Sequence, residues 1–538
     1  MKLDEVSFEK LPVNQLFQTY LKDYSRLNSF YSHSPDIQGM NGKEDFNTGK
    51  VDRHRLVELL KQVNSAYGVD AAALDQIERL ADPEARVVVT GQQMIVLGGP
   101  LFLMFKAISV IVLARKLEAA SGKPVIPVFW LADEDHDVDE VKSLKLPESE
   151  TIRSLQLDFN PEHRHSIGHD HPPREAVSKL IDEVFQTLPE TDFSSELRDL
   201  LQSAYASGNL KEGFARLISA VFSEYGLVLA ESNNPQIKKE LSEPICRAVS
   251  NSIHINEKLE AQSAEIEAKF HRQAQVQPST LFMHDPEYGR VRLDRTNGRW
   301  STETGGDWST EELCALAEKE PWRFSPNVFL RPVIQDWLLP TACYVAGPGE
   351  VAYYAQMGEI YPVFDQKMPV ILPRYSGTIV EPAIARIMTE LPFEMPDYSG
   401  RIEDLEKTYL EWSTPDDLDA HFQQWQRKIE ELNRENAEVV KNYDPSLQGS
   451  AEKMTVDFTK SIDKLHQKLR KSLRKQDEIQ LKRAKRIKQA LFPEDKMQER
   501  EISWLYFANK FGLQIFDELI NDWSNEEKSN DKHWLITP

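Results

Sequence analysis

Between residues 86 and 140 two short apolar runs flank one long apolar stretch. The first run, 87–89, ends in Thr90-Gly91-Gln92-Gln93, and the second, 125–130, ends in Asp133-Glu134-Asp135-His136-Asp137. Between them Gly98-Gly99-Pro100 opens more than a dozen mostly apolar positions. β-Branched runs of strand length on either side of a helix-length segment predict a βαβ unit with a buried parallel sheet. Such sheets bind ligands beyond the carboxyl ends of their strands, where both polar loops fall.

The same reading extends along the chain. Helices are expected at 14–29, 53–67 and 71–81, with a polar loop at 32–49. A strand is expected at 151–159, helices from 174 to 225, and a short buried strand at 226–231 that ends in Glu231-Ser232-Asn233-Asn234. One long amphipathic helix is expected over 235–273. A hairpin is expected at 281–293 around Asp285-Pro286-Glu287-Tyr288-Gly289, and another strand at 369–372, closed by Pro373-Arg374-Tyr375-Ser376, where Arg374 and Ser376 are candidates to complete the pocket. Beyond Pro382 the period becomes that of long helices. Phe422, Trp425, Ile429, Leu432 and Val439 lie at seam spacing with Asn436 among them, and Met454, Phe458, Ile462, Leu465, Leu469 and Leu473 form a stripe on a second helix over 451–491. Two such helices joined by a short turn predict an antiparallel hairpin. Residues 502–522 are apolar enough to return to the core, and 525–538 are expected to be loosely held. The division expected is 1–387, 388–500 and 501–538.

At 538 residues the chain is long enough for two or three domains. Its net charge of −22 argues against general nucleic-acid binding. The N-terminus has acids and no apolar core of a signal peptide, and 95–112 is too interrupted to span a membrane, so a cytoplasmic protein is expected. The three cysteines, Cys246, Cys314 and Cys343, are far apart with no C-x-x-C. Neither a disulfide framework nor a zinc thiolate site is expected.

The candidate chemistry sits in the polar loops. Gly91 allows close approach of backbone to a ligand. Gly98, Gly99 and Pro100 at a helix start predict free N–H groups that favour an anion, with Lys106 two turns further on to reach a phosphate or carboxylate. Structural turns and an exposed lysine are the bland alternative, since neither nucleotide fingerprint is present. In the second loop Asp133, Glu134, Asp135, Asp137 and Asp139 surround His136, a pattern that serves general bases, metal sites or amine binders. Glu134, Asp135 and His136 lie nearest the strand end, and Asp137 and Asp139 suit helix caps. His163, His165, His169 and His171 follow on a loop read as mobile surface rather than as a metal site.

The segment 326–357 supplies a second wall: Asn327, Arg331, Gln335 and Asp336 interrupt an apolar run, and Gly347-Pro348-Gly349-Glu350 opens a helix with Tyr353 and Tyr354. Arg331 suits bidentate binding of a carboxylate. Residues 451–490 are basic, thirteen against five acids. Arg483 and Arg486 there, with Trp504 and Tyr506, form a secondary candidate for a nucleotide or anion.

The segments TGQQ, GGPLFLMFK and PVFWLADEDHD, with FSPNVFLRPVIQDWLLPTACYVAGPGEVAYYAQM and ALFPEDKMQERE, resemble the family of bacillithiol-synthesis cysteine-adding enzymes, also called cysteine ligases. The resemblance covers nearly the whole chain. It implies a Rossmann-like parallel-sheet core of the α/β class with helical insertions. It also implies a helical coiled-coil domain that pairs two subunits, and a reaction joining the cysteine carboxylate to the amine of glucosaminyl-malate. The relation of that core to class I synthetases brings in ATP with Mg²⁺ as candidate cofactor. Here the chain departs from the pattern: neither H-I-G-H nor K-M-S-K-S occurs, and no zinc thiolate site is available to select cysteine. Two other classes stand beside a ligase, a metal-dependent nucleotidylyltransferase or hydrolase using 133–139 and a structural coiled-coil protein with a relic core. Polar groups at several strand ends weigh against the last.

Overall fold

A computed structural model describes residues 1–35, 46–135, 137–148, 151–161, 165–166, 168, 171–413 and 418–538, the side chains of 474 and 476 excepted. The chain divides into two compact units, 1–380 together with 496–538, and 381–495.

The first unit is built on five parallel strands. β1 (Arg86–Gln92) leads through helix α1 (Phe102–Ser121) to β2 (Val125–Leu131), and β3 (Val228–Glu231), β4 (Thr341–Ala346) and β5 (Val370–Pro373) follow. Their spatial order is 3-2-1-4-5, all parallel. The order reverses between β1 and β4, and the crevice at that switch point is where an open α/β sheet binds its ligand. Both faces of the sheet are covered, so β2 is buried at every position and α1 is apolar nearly all round. Thr90 Oγ1 donates to the carbonyl of Val345 at 2.8 Å and ties β1 to β4 at the reversal.

The expected strand at 151–159 is Thr151–Gln156, but it pairs antiparallel with Ser143–Glu148 outside the core sheet. The long helix expected over 235–273 is three helices, Pro235–Glu240, Ser242–Ser250 and Ser252–Glu267. Pro244 explains the first break: its ring cannot follow a helical carbonyl four residues earlier, at 240. The expected hairpin exists, Asp285 against Gly289, with the Asp285 carboxylate accepting from the Glu287 and Tyr288 N–H groups. It belongs to a larger antiparallel sheet of five strands. Helices Ser242–Ser250 and Thr310–Lys319 pack together and join through a disulfide between Cys246 and Cys314, which corrects the expectation of unpaired cysteines. A separation of 68 residues carries no local signal of that pairing.

A third sheet ties the ends together. Lys2–Ser7 pairs antiparallel with Lys532–Thr537, which runs parallel to Ser376–Ile379. The tail expected to be loose is therefore a strand with His533 and Trp534 fully buried. In the second unit, helices Leu418–Tyr443 and Gln448–Leu491 pack antiparallel, with Asp419 facing His466 and Arg470, and Gln426 facing Asp463. The expected seam is only partly closed: Leu432, Val439, Phe458 and Leu465 remain about half exposed.

Candidate active site

A cavity of about 680 Å³ opens at the carboxyl ends of β1, β2 and β4, within the range of small-molecule sites. Gly91, Gln92 and Gln93 at the end of β1 form one side of it. Gly91 leaves room for Arg331, since a Cβ there would stand 3.3 Å from its Nη1 and crowd the guanidinium.

Lys106 lies buried beneath this loop. Its ammonium donates to the Gly91 carbonyl at 2.7 Å and to Gln92 Oε1 at 3.1 Å, and pairs with Glu350 at 2.8 Å. Burial pushes the Lys106 ammonium below its ordinary pKa against the pull of Glu350. Glu350 sits in the first turn of α3 (Pro348–Tyr354) and also accepts from the Gly347 N–H and the Tyr344 hydroxyl, each at 2.7 Å. Burial alone would raise its carboxyl, but Lys106 and these donors outweigh it and hold Glu350 ionised below the usual range. Lys106 and Glu350 thus lock the glycine loop to α3; all three ammonium donors are committed to protein groups.

Gly98 and Gly99 do not line the cavity. Both have positive φ, +84° and +60°. A Cβ on Gly98 would overlap the Trp504 indole nitrogen, whose N–H donates to the Leu97 carbonyl at 2.8 Å, and one on Gly99 would stand 2.7 Å from Ile95. The Leu101 N–H is taken by the Ile502 carbonyl at 2.9 Å. This end of α1 is sealed by the segment 502–504, so the expected anion cradle at Gly98-Gly99-Pro100 is a buried turn. Trp504 is fully buried in the same contact and offers no face to a base. Tyr506 is part-buried under the Lys510 ammonium, 4.5 Å from its ring centre. In the other unit Arg483 pairs with Glu390, and Arg486 is exposed.

Arg331 stands in the first turn of α2 (Leu330–Leu338), where Pro332 costs no hydrogen bond and Asn327 caps the Phe329 and Leu330 N–H groups at 3.0 and 3.1 Å. Its guanidinium takes the Tyr353 hydroxyl at 3.0 Å, with Gln335 Oε1 at 3.5 Å and the Tyr344 ring alongside. Among the described residues it has no carboxylate partner. Tyr353 lines the cavity, whereas Tyr354 is buried behind it with its hydroxyl unpartnered. Gly349 lines the cavity beside Gln273.

The acidic loop after β2 is a set of separate ion pairs. Asp133, fully buried, accepts from the Ser232 and Asn233 N–H groups at 3.1 and 3.0 Å and faces Lys211 at 3.4 Å. Glu134 pairs with buried Lys238. Asp135 accepts from Gln93 Nε2 at 2.6 Å and faces Arg290 at 3.3 Å. Asp139 pairs with Lys142 at 2.6 Å, and Asp137 stands at a helix start without a capping side-chain bond. His136 lies outside the described residues, as do His163 and His169. The mutual repulsion expected of these acids is relieved by Lys211, Lys238 and Arg290 from three other elements and by Lys142 on the turn of Asp139 itself. Among the described residues no three His, Cys, Asp or Glu side chains gather to hold a metal ion.

Several residues of the site escape a reading of the sequence alone. Arg290 comes from the inserted sheet, lies over the Phe282 ring at 4.0 Å, and donates to Ser325 and to the Pro326 carbonyl as well as facing Asp135. Arg374, expected with Ser376 to complete the pocket, does line the cavity and forms a buried bidentate pair with Glu499 at 2.9 and 2.6 Å, to which the Ser376 hydroxyl also donates at 2.9 Å. Lys238 and Glu499 have no local signature at all. The cavity therefore presents the Arg331 guanidinium, without a carboxylate partner among the described residues, at the β4 side and the ion-paired carboxylates Glu134 and Asp135 at the β2 side. It can take an anionic group at the first and a cationic one at the second.

Among known proteins, residues 1–375 match the model of the N-terminal Rossmann-like domain of bacillithiol biosynthesis BshC, and 377–537 match that of its C-terminal coiled-coil domain. Proteins carrying the provisional name cysteine ligase BshC are similar over nearly their whole length. That of Symbiobacterium thermophilum is 32% identical, covering 98% of both chains. That of Koribacter versatilis is 31% identical, covering 94% of this chain and 95% of its own. That of Bacillus cytotoxicus is 29% identical, covering 96% and 97%.

Proposed function

The chain belongs to the BshC family of bacillithiol biosynthesis, and on that premise we propose that it is a ligase joining the carboxylate of L-cysteine to the amine of glucosaminyl-malate. The observation that carries this reading is the paired character of the cavity. Arg331, lacking a carboxylate of its own, takes a malate carboxylate, and Asp135 with Glu134 faces the glucosamine ammonium.

The amine is useless as a nucleophile while protonated. Asp135 holds the ammonium, and the adjoining loop residue His136 accepts its proton as the nitrogen attacks the cysteine carbonyl carbon. The C–N bond forms as one C–O bond of the cysteine carboxyl breaks, and over the whole reaction that oxygen leaves as water with the two protons given up by the ammonium. Lys106 stabilises this arrangement from beneath by fixing Gly91 and Glu350. The residues at the glycine loop do not fit ATP with Mg²⁺: the start of α1 is sealed by 502–504, so its amides cannot cradle a triphosphate. The steps assigned here are those of the chain's own side chains. Nor is there a thiolate set for zinc, since Cys246 and Cys314 are bonded to each other and Cys343 is buried.

The reading includes a homodimer through 381–495, supported by the half-exposed apolar stripe on its two long helices. Among the described residues no helix is long and apolar enough to cross a membrane.

The test is incubation of the purified protein with L-cysteine and glucosaminyl-malate, with and without ATP and Mg²⁺, followed by mass analysis of the product. The amide is expected. His136→Ala should lower turnover by about 10²-fold or more, as for loss of a proton-accepting group, and Asp135→Asn, which removes the carboxylate that holds the ammonium, should also lower it strongly. No amide from the folded protein in either condition would overturn the assignment.

A further inference from the structure

From the contacts beneath Arg331 we infer that Asp336 is a positioning residue of this site, acting through the buried amide of Gln335 to set the guanidinium that meets the substrate carboxylate. The inference rests on the reading that Arg331 binds that carboxylate.

Arg331, Gln335 and Asp336 share one short helix, α2. Arg331 reaches the main cavity, and Gln335 and Asp336 are wholly buried behind it. Gln335 Oε1 faces Arg331 Nη1 at 3.5 Å, and its Nε2 donates to Asp336 Oδ1 at 3.3 Å. The Tyr361 hydroxyl donates to Asp336 Oδ2 at 3.0 Å. Asp336 also borders a second cavity of about 440 Å³, lined as well by Lys50, Asp365 and Lys367. The titratable and charged groups facing Asp336 are thus Arg331 on its own helix, Tyr361 on the 358–364 turn, Tyr354 on α3, and these three lining residues. Among the described residues none of them forms an ion pair with it.

A fully buried carboxyl without a cation is an expensive choice where an apolar side chain or an amide would serve. What distinguishes it is that its hydrogen-bonding role reverses with its proton. Ionised, Asp336 can only accept, so the Gln335 N–H₂ is committed to it and the amide oxygen is left for Arg331. Protonated, it can donate to the Gln335 oxygen, which turns the amide over and sets N–H against N–H at Arg331. The charge state of Asp336 therefore decides whether Gln335 supports or opposes the orientation of Arg331. Burial pushes this carboxyl up to about 7, so the exchange falls near neutral pH.

The experiment is calorimetric titration of the full chain with L-malate, a dianion throughout, at pH 6.5 and 8.5. Wild type should bind about fivefold more tightly at the higher pH, the value of one hydrogen bond gained. Asp336→Asn should bind with no such difference, and Gln335→Met, which keeps the acid and removes the relay, should do the same if Asp336→Asn does not fold. A pH dependence that survives in a folded variant overturns the inference alone. Failure of malate to bind any folded form overturns the carboxylate reading of Arg331 and this inference with it. A readout without ligand separates the two: the infrared difference spectrum between these pH values should carry a buried carboxylic acid band that Asp336→Asn lacks. An unchanged spectrum overturns the role of Asp336 whatever Arg331 binds.

Discussion

The two units of this chain handle charge and apolar surface in opposite ways. The unit of 1–380 and 496–538 buries ionised groups and pairs most of them internally: Lys106 with Glu350, Lys238 with Glu134, Arg374 with Glu499. Among the described residues, 381–495 buries no lysine, arginine, histidine or carboxylate; its only buried polar side chain is Asn433. It instead leaves Leu432, Val439, Phe458 and Leu465 about half exposed. One unit has finished its own interior. The other carries a stripe that a single hairpin cannot cover, and such a surface is characteristic of an interface. The buried charges of the first unit are fixed by their partners, whereas the described charges of the second all keep some contact with solvent.

The largest expected effect tests the open stripe. Leu432→Glu combined with Leu465→Glu should turn the proposed dimer into a monomer, weakening association by about 10³-fold or more, since two leucines buried there would each be worth roughly 1.5–3 kcal/mol before the cost of burying charge. Light scattering over a concentration series reads it. A monomeric wild type that keeps its full helical content would show instead that the hairpin is complete without a partner.

The next tests the closed interior. Arg374→Met leaves Glu499 buried with the Ser376 hydroxyl and Gly377 N–H but no cation. Removing one partner of such a pair costs about 3–5 kcal/mol. The readout is denaturant unfolding. A loss below about 1 kcal/mol would mean that water reaches Glu499 and that the core is less dry than its packing implies.

Much of this contrast was legible in the chain, and the illegible part has a common cause. β1, α1 and β2 follow from apolar runs a few residues long, because burial on both faces demands them locally. The hairpin helices follow from their period in the same way. The loops at the strand ends were legible too, since strand direction puts them at the ligand side. Their partners were not: Lys238 meets Glu134 across 104 positions, Arg290 meets Asp135 across 155, and Glu499 meets Arg374 across 125. An acidic loop read without those bases looks like a metal site. Tyr353 and Tyr354 could not be told apart because neighbours on a helix differ by about 100° in facing, and nothing local fixes that phase. Gly98 and Gly99 look like an anion cradle until Trp504, about 400 residues on, is found sealing it.

A smaller, pH-dependent effect belongs to the core alone. The Asp336 carboxyl, raised by burial from an ordinary value near 3.8 to about 7, keeps its proton in the folded state where the unfolded chain has lost it. Its contribution to stability is therefore complete below about pH 4 and is lost as pH rises through about 7, a swing of a few kcal/mol. Asp336→Asn has nothing to titrate. Its stability relative to wild type should improve between pH 5 and 8.5, measured by urea unfolding at each pH. A constant difference would show that the buried acid is ionised throughout.

The smallest effect completes the contrast with Arg374. Arg483 and Glu390 make the same kind of ion pair within 381–495, but their side chains are 35% and 39% exposed, against 3% and 2% for Arg374 and Glu499. In water the attraction is offset by the entropy of holding two long side chains, and salt screens what remains. Arg483→Met should therefore shift stability by no more than about 0.5 kcal/mol, and the shift should vanish in high salt. Side by side, Arg374→Met and Arg483→Met ask one question of one chemistry in two surroundings. A cost for Arg483→Met near that of Arg374→Met, and insensitive to salt, would mean that the hairpin's basic face is covered in solution.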